Sequence, residues 1–348
     1  MDILTDNFDA FGLDIGDRSL KAVHLARSGA RIRVRSIGQA EVPKGVFDKG
    51  TLIAPEKLCA SLHSLFASCA PKKIKTRYVH ACLPETHTFI KLLEFTGVSG
   101  NELGARVREE LPSHVPIDID GAYIDWTIVG TTQQGAVQVL AGAIPKQTSD
   151  SYTDALRNCG LIPLSLQVEA QAIVRALVDQ HAPEPGPLAI VDIGATRSSF
   201  ILYDRGSIQF TVSIPSSGED ATETIASKLS ISHEEAENAK RTMGLDPDKG
   251  EGTVAKILAP MALSLASAIQ KNCIFYGEHF PGTAPIAGIL LCGGGSAMPG
   301  FLGTLSDTMP GIAIAHGNPV LHIANGEEAG LTLAHATAIG LALTQLLS

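Results

Sequence analysis

Leu188-Ala-Ile-Val-Asp-Ile-Gly-Ala-Thr-Arg-Ser-Ser-Phe200 is an apolar run that ends in an aspartate, turns on a glycine and continues through small hydroxyl residues. A weaker twin, Phe11-Gly-Leu-Asp-Ile-Gly-Asp-Arg-Ser-Leu-Lys21, stands near the start of the chain. A short apolar run bounded by turn residues reads as a buried strand. Asp14 and Asp192 therefore fall at strand ends, and Gly16 and Gly194 give the backbone freedom for a sharp turn. A second strand follows each turn, at 19–27 and 198–204. Tight turns at Ser28-Gly-Ala30 and Arg205-Gly206 lead to third strands at 31–40 and 207–213. Each half thus begins strand, Asp-Ile-Gly turn, strand, turn, strand. The two copies are too far apart for a solenoid, whose periods run about 20–50 residues, and read as duplicated domains facing each other.

Paired loops of exposed N–H groups and hydroxyls can hold the phosphates of a nucleotide. A carboxylate cannot bind phosphate directly. Asp14 and Asp192 can instead bind Mg²⁺ through water, because that ion takes few carboxylates and keeps several waters. A third element is the apolar strand 288–292, which runs into Gly293-Gly-Gly-Ser-Ala-Met-Pro-Gly300. Such a turn lets backbone approach a flat base and ribose, and Pro299 is expected to open the next helix at its first position.

The chain has 348 residues, 45% hydrophobic and 18% charged, which describes a core-forming protein of two or more subdomains rather than a disordered one. The net charge is −9 and no Lys/Arg cluster stands out along the sequence, which argues against nucleic-acid binding. Residues 1–10 are acidic and short of apolar residues, unlike a signal peptide. No apolar run reaches the roughly 18 residues of a membrane span. The most apolar long helix, around 253–270, is interrupted by Lys256 and Pro260. No direct membrane insertion is expected. Six cysteines (Cys59, Cys69, Cys82, Cys159, Cys273, Cys292) lack C-x-x-C spacing and read as reduced core residues of a cytosolic protein.

Between the twin motifs, 42–48 reads as a loop, 55–67 as a helix and 78–83 as a strand. Gly45–Thr51 imitates a phosphate-binding loop but lacks the lysine such a loop requires. The stretch 86–160 changes pattern: strand 88–95, helix 101–111, strands 123–129 and 136–143, helix 147–159. It reads as a self-contained α+β unit. Strand 163–168 and helix 170–179 follow, and Pro183-Glu-Pro-Gly-Pro187 is the clearest linker. In the second half Gly218 and Glu219 stand just ahead of a helix at 220–229. Ser232 with Glu235 forms a capping box for the next helix. His233-Glu-x-x-Glu237 imitates a metal motif without its second histidine. The stretch 331–347 is apolar without Lys or Arg. A membrane-surface helix needs a cationic face, so this one reads as a buried closing helix of the first lobe.

Together these motifs resemble the actin-like ATPase superfamily. Asp14-Ile-Gly16 is similar to its first phosphate motif, Asp192-Ile-Gly-Ala195 to the second and Gly293-Gly-Gly-Ser296 to the adenosine motif. Within the superfamily the chain resembles the PilM family of type IV pilus assembly proteins. The match rests on Asp14–Lys21, residues 188–199, Ser217-Gly-Glu-Asp220 with Glu234–Arg241, and residues 290–301. The resemblance implies an α/β actin-like two-lobed ATPase fold with an inserted α+β 1C (SHS2-type) subdomain. It divides the chain into 1–84 (lobe 1, first part), 85–160 (1C), 161–186 (lobe 1, second part), 187–324 (lobe 2) and 325–348 (closing helix). It implies ATP and Mg²⁺ as ligands. Asp14, Glu169 and Asp192 would carry any hydrolysis, with Glu169 positioning the attacking water, and turnover would be slow or absent in isolation. Nucleotide contacts would come from Gly16, Ser19, Lys21, Gly194, Ala195, Thr196, Gly218, Glu219, Glu237, Lys240, Gly293, Gly294, Gly295 and Ser296. The implied role is a cytoplasmic scaffold, held at the inner membrane by its partners in a pilus motor complex and open to homo-oligomerisation. It would grip the cytoplasmic N-terminal peptide of a PilN-like membrane protein, with strand 78–83 and helix 101–111 as the places to look.

The first loop departs from the family, since Asp17 follows the glycine where small residues are usual. Two unit charges about 4 Å apart interact by about 4 kcal/mol at an effective dielectric near 20. An inward Asp17 would therefore repel phosphate and an inward Arg18 attract it. Arg197 reads equally as a phosphate ligand or an exposed strand residue. Rival readings are a small-molecule kinase of the same fold, a filament-forming FtsA-like ATPase, the cytoplasmic module of a type II secretion protein and an MSHA-type pilus variant.

Overall fold

Fully buried strand β1 (Phe11–Ile15) is the centre of the first half, and all five of its residues lie in the core. The computed structural model describes residues 8–132, 134–179, 186–280, 282 and 284–347. Residues 1–7 and most of the linker expected at Pro183–Pro187 lie outside that set. The chain divides into two compact units: Met1–His181 with Gly206–Phe210 and Pro319–Ser348, and Ala182–Arg205 with Thr211–Asn318.

In the first unit β1 turns back into β2 (Ser19–Ser28), which turns into β3 (Arg31–Glu41). Strand β3 alternates strictly at first: Arg31, Arg33 and Arg35 are exposed, while Ile32, Val34 and Ser36 are buried. That is the period-two signature of a sheet with one covered face. The short hairpin β4 (Phe47–Asp48) and β5 (Thr51–Leu52) precedes α1 (Pro55–Ser68), which starts on proline and buries Leu58, Leu62 and Leu65. Then come β6 (Ala70–Pro71) and β7 (Tyr78–Leu83).

The insertion comprises β8 (Phe89–Phe95), α2 (Gly100–Glu110), β9 (Ala122–Thr131) and β10 (Val137–Pro145), with the strands ordered β8-β10-β9. Helix α2 buries Leu103 and Val107 in a core with Leu93, Phe95, Val139 and Ala141. The helix after it, α3 (Lys146–Asn158), does not complete this unit as its sequence position suggested. Tyr152, Ala155 and Leu156 pack into the main core with Phe11, Leu13 and Leu62. Strand β11 (Ile162–Val168) and α4 (Glu169–Leu177) follow, and the main sheet runs β11-β7-β1-β2-β3-β6.

One further expectation changes here. Cys59 on α1 and Cys159 at the end of α3 form a disulfide; Cys69, Cys82, Cys273 and Cys292 are free. Residues 100 apart in sequence are brought together because both helices cover the same core. Strand β7 lies between β11 and β1, parallel to both, so its backbone groups are already paired and it cannot receive an added peptide strand.

The second unit repeats the opening pattern in β12 (Leu188–Ile193), β13 (Ser198–Asp204) and β14 (Ser207–Ile214). Helices α5 (Gly218–Leu229), α6 (His233–Thr242) and α7 (Thr253–His279) precede β15 (Gly288–Cys292), α8 (Phe301–Thr308) and β16 (Ile314–His316), and the sheet runs β14-β13-β12-β15-β16. The capping box of Ser232 and Glu235 forms. Pro299 does not open α8; the helix begins at Phe301 behind Gly300, whose φ of 72° suits a glycine. Helix α7 runs on to His279 without breaking at Pro260, and by length and composition alone it could cross a membrane. Its Val254, Leu258, Ala262, Leu265, Ile269 and Tyr276 are buried, and Tyr276 hydrogen-bonds buried Asp204 at 2.5 Å. This is the stripe of a core helix.

The chain then returns to the first unit. The expected helix at 331–347 is broken into a short 3₁₀ turn, Leu333–His335, and a seven-residue helix α9 (Ala336–Ala342), every residue of which is buried. It packs where glycine permits: a Cβ on Gly12 would lie 2.2 Å from the Ala338 carbonyl oxygen, and one on Gly340 only 1.7 Å from that of Ala172.

Candidate functional site

In the first unit the Asp-Ile-Gly turn is closed by the Gly16 N–H on the Ser19 carbonyl at 3.0 Å. The β1–β2 register sets Asp14 opposite Lys21, and the Lys21 ammonium reaches the Asp14 carboxylate at 3.0 Å. Asp14 is only 6% exposed, so the pair is largely desolvated. The parallel neighbour β7 brings Cys82 alongside. Its thiol lies 3.6 Å from the other Asp14 oxygen, and its sulfur accepts the Ile15 N–H. Burial pushes the Cys82 thiol well above its ordinary range, and the carboxylates of Asp14 and Glu169 push it further. It therefore remains a donor to Asp14 at neutral pH. Glu169 opens α4 directly after β11, whose Val168 pairs with Leu83. Asp14 and Glu169 thus gather with Cys82 at one end of three parallel strands.

His335 closes this group. Its Nδ1 accepts the Thr332 N–H at 3.2 Å, which leaves the ring proton on Nε2. Burial and the neighbouring Lys21 charge hold it below the usual histidine range. Asp17 is 8% exposed. Ser19 and Arg18 are half-buried in the turn.

The second unit builds the same turn. The Gly194 N–H meets the Arg197 carbonyl at 2.9 Å, and a Cβ on Gly194 would lie 2.6 Å from that oxygen. The loop then docks on the start of α5: the Gly218 N–H donates to the Gly194 carbonyl at 3.0 Å and the Glu219 N–H to that of Ala195 at 2.8 Å. Ala195 is exposed and Thr196 half-buried. On the parallel neighbour β15, Cys292 stands opposite Asp192, and its thiol lies 3.5 Å from the carboxylate. Each aspartate therefore has a cysteine on the adjacent parallel strand.

The glycine-rich turn is packed against this loop. A Cβ on Gly293, at φ 80°, would lie 2.4 Å from Asp192, and one on Gly295 would lie 2.4 Å from the Ile193 side chain. Ser296 is buried and donates to the Gly293 carbonyl at 2.7 Å, while Gly294 is exposed. Glu237 and Lys240 are engaged with each other at 2.6 Å. Lys240 also donates to the Gly218 carbonyl at 2.8 Å, and Thr222 donates to Glu237 at 2.6 Å. Partial burial works to raise the Glu237 pKa, but the hydrogen bonds from Lys240 and Thr222 and the Lys240 charge outweigh it and hold it at about 2. The pair locks α6 to the start of α5, beside the second loop.

Cys82, Cys292 and His335 were not singled out from the sequence. The two cysteines were detectable, since each ends or nearly ends a strand that runs parallel to an Asp-Ile-Gly strand. Nothing local marked His335.

A family model described as type IV pilus assembly protein PilM matches residues 12–346. The fold is similar to a chain of a PilM–PilN type IV pilus biogenesis complex, with a TM-score of 0.83 at 24% identity over 98% of this chain and 99% of that one. It is also similar to the ethanolamine utilization protein EutJ from Carboxydothermus hydrogenoformans (TM-score 0.58, 15% identity, 96% and 88% covered). MreB 5 of Spiroplasma citri bound to AMPPNP matches with a TM-score of 0.57 at 12% identity, with 98% and 97% covered. The fold is that of the actin-like ATPases. With nearly its whole length matched by that one family model, the chain belongs to the PilM family of type IV pilus assembly proteins.

Proposed function

We propose that the chain is an ATP-binding scaffold of type IV pilus assembly that recognises the cytoplasmic peptide of a PilN-like inner-membrane partner. The observation that carries the nucleotide half is the repeated loop. Each unit ends a buried strand in an aspartate, turns through the same backbone hydrogen bond, and sets a cysteine thiol beside the carboxylate. The donor set fits Mg²⁺, which takes carboxylates largely through water. Bound there, the ion would neutralise phosphate charge. Asp14 in the first unit and Asp192 in the second are each proposed to hold waters of such an ion, with the loop hydroxyls and N–H groups around Gly16 and Ser19, and around Ala195 and Thr196, as phosphate contacts. Lys21 keeps Asp14 charge-balanced before nucleotide arrives. Glu169 is the residue to orient a water, and turnover is expected to be slow. Glu237 and Lys240 would contact the base and ribose while also fixing the start of α5.

Family membership and the likeness to a chain from a PilM–PilN complex support the partner half. Because β7 is enclosed, we place the peptide on the insertion, where β9 ends its sheet and exposes Tyr123 and Ile128. An extended peptide gains main-chain bonds on such an edge. Calorimetric titration of ATP-Mg²⁺ tests the first half. Saturable binding that an Asp192→Ala, Gly294→Val double variant loses is the expected result. A folded wild-type protein that binds no ATP overturns it. Titrating the partner's cytoplasmic peptide into the same samples tests the second half, and absence of binding in both the ATP-loaded and ATP-free states refutes it.

A further inference from the structure

Lys72, Lys73 and Lys75 stand close together in the sequence, and the fold brings Arg35 to them. Arg35 lies on β3 and Lys72, Lys73 and Lys75 follow β6, far apart in the chain. The β3–β6 ladder pairs Ser36 with Pro71. One step outward, Arg35 therefore faces Lys72. The Ser36 hydroxyl fixes this register by donating to the Lys72 carbonyl at 2.5 Å. Like charges set opposite one another destabilise a sheet, so the arrangement costs stability unless an anion sits between them.

These four cations line an open surface depression of about 510 Å³ with Asp9 and His24. That volume falls in the range of small-ligand sites, about 300–1,000 Å³. The single carboxylate is spoken for: Asp9 holds the buried His24 ring at 2.8 Å and steadies the Arg35 guanidinium at 3.4 Å. Lys73 is tethered to the Ala67 carbonyl, the end of α1, at 2.5 Å. Among the described residues, no carboxylate pairs with Lys72, Lys73 or Lys75. Four cations against one carboxylate, on a chain of net charge −9, make a local field opposite to that of the whole molecule. Multiple ammonium donors beside one planar guanidinium suit the oxygens of phosphate.

We propose that this pocket of the first unit binds a phosphate-bearing anion, either a soluble polyphosphorylated compound or a phospholipid headgroup. It shares no residue with the Asp-Ile-Gly loops and does not rest on their role. The test uses the full chain carrying Asp192→Ala and Gly294→Val, so that phosphate cannot report on the nucleotide loops. Inorganic pyrophosphate without Mg²⁺ is titrated by calorimetry. In parallel, the protein is sedimented with phosphatidylcholine vesicles with and without phosphatidylglycerol. Saturable pyrophosphate binding is expected, weakened by about tenfold in Lys72→Gln and abolished in Lys72→Glu, Lys75→Glu. Both lysines are exposed and relieving like charge costs nothing, so these variants fold with a melting temperature at or above that of the wild type. Pyrophosphate binding without vesicle binding assigns a soluble compound. Lysine-dependent binding to the phosphatidylglycerol vesicles assigns the headgroup. If neither probe binds the folded protein, or the double lysine variant binds both as well as its parent, the proposal is wrong.

Discussion

Glu237→Gln should destabilise the second unit in a pH-dependent way, and the geometry sets the size. One carboxylate oxygen accepts from Lys240 and Thr222, both at 2.6 Å, and the other accepts from Arg241 at 2.7 Å. The Glu237 side chain is 29% exposed. Its pKa falls from 4.5 to about 2 on folding. A depressed folded pKa means stability that is present above the unfolded pKa and lost as pH falls through the folded one. Each pKa unit corresponds to about 1.4 kcal/mol, so the full effect at neutral pH is on the order of 3 kcal/mol. By about pH 3.5, roughly 1–2 kcal/mol of it should have gone. The assay is urea unfolding of wild type and Glu237→Gln across that range, with hydrogen exchange in α5 and α6 to localise the change. The stability gap should be widest at pH 7 and narrow below about pH 4.5. A gap that stays constant from neutral to acid pH would show that the carboxylate charge contributes nothing and that the variant acts through packing alone. A variant with wild-type stability at pH 7 would refute the lock between α5 and α6 altogether.

Substitutions at Gly340 and Cys59 probe the first unit. In Gly340→Ala the new methyl would lie 1.7 Å from the Ala172 carbonyl oxygen, so α4 and α9 must separate. A loss of about 1–3 kcal/mol or more is expected in thermal unfolding, whereas Gly303→Ala on α8 meets nothing within 4 Å and should be neutral or stabilising. For the cysteines, denatured but unreduced protein should expose four reactive thiols and reduced protein six. Closing a loop of about 100 residues stabilises by up to roughly 5 kcal/mol in the chain-entropy view, so Cys59→Ser should lower the melting temperature, and six thiols before reduction would exclude the Cys59–Cys159 bond.

The parts of the fold legible in the sequence are those encoded locally. The Asp-Ile-Gly turns could be read because strand, turn and returning strand are contiguous, and the Gly16 and Gly194 hydrogen bonds close within three residues. The Ser232–Glu235 cap was equally local. What escaped depends on partners distant in sequence. Cys82 meets Asp14, and Cys292 meets Asp192, only after parallel strands assemble. Helix α3 follows the insertion in the chain, but its apolar stripe of Tyr152, Ala155 and Leu156 fits the main core equally well, and order alone cannot say which surface takes it. The bonds from Lys240 to Gly218 and Thr222 on α5 were equally hidden, because spacing along α6 shows nothing of α5.

The arginines of β3 make the same point about charge. Arg31, Arg33 and Arg35 alternate with buried Ile32, Val34 and Ser36, which is the ordinary pattern of a strand with one wet face. Lys72, Lys73 and Lys75 lie in a short exposed connection, also an ordinary place for lysine. Neither segment is remarkable by itself, and a net charge of −9 hides both. Only the antiparallel register that pairs Ser36 with Pro71 turns two unexceptional runs into opposed like charges around a surface depression. A sheet tolerates that opposition in isolation only at a cost, whereas a phosphate between the same residues would accept from them and offset their repulsion. The placement of these cations is therefore better explained by a ligand than by the sheet that carries them.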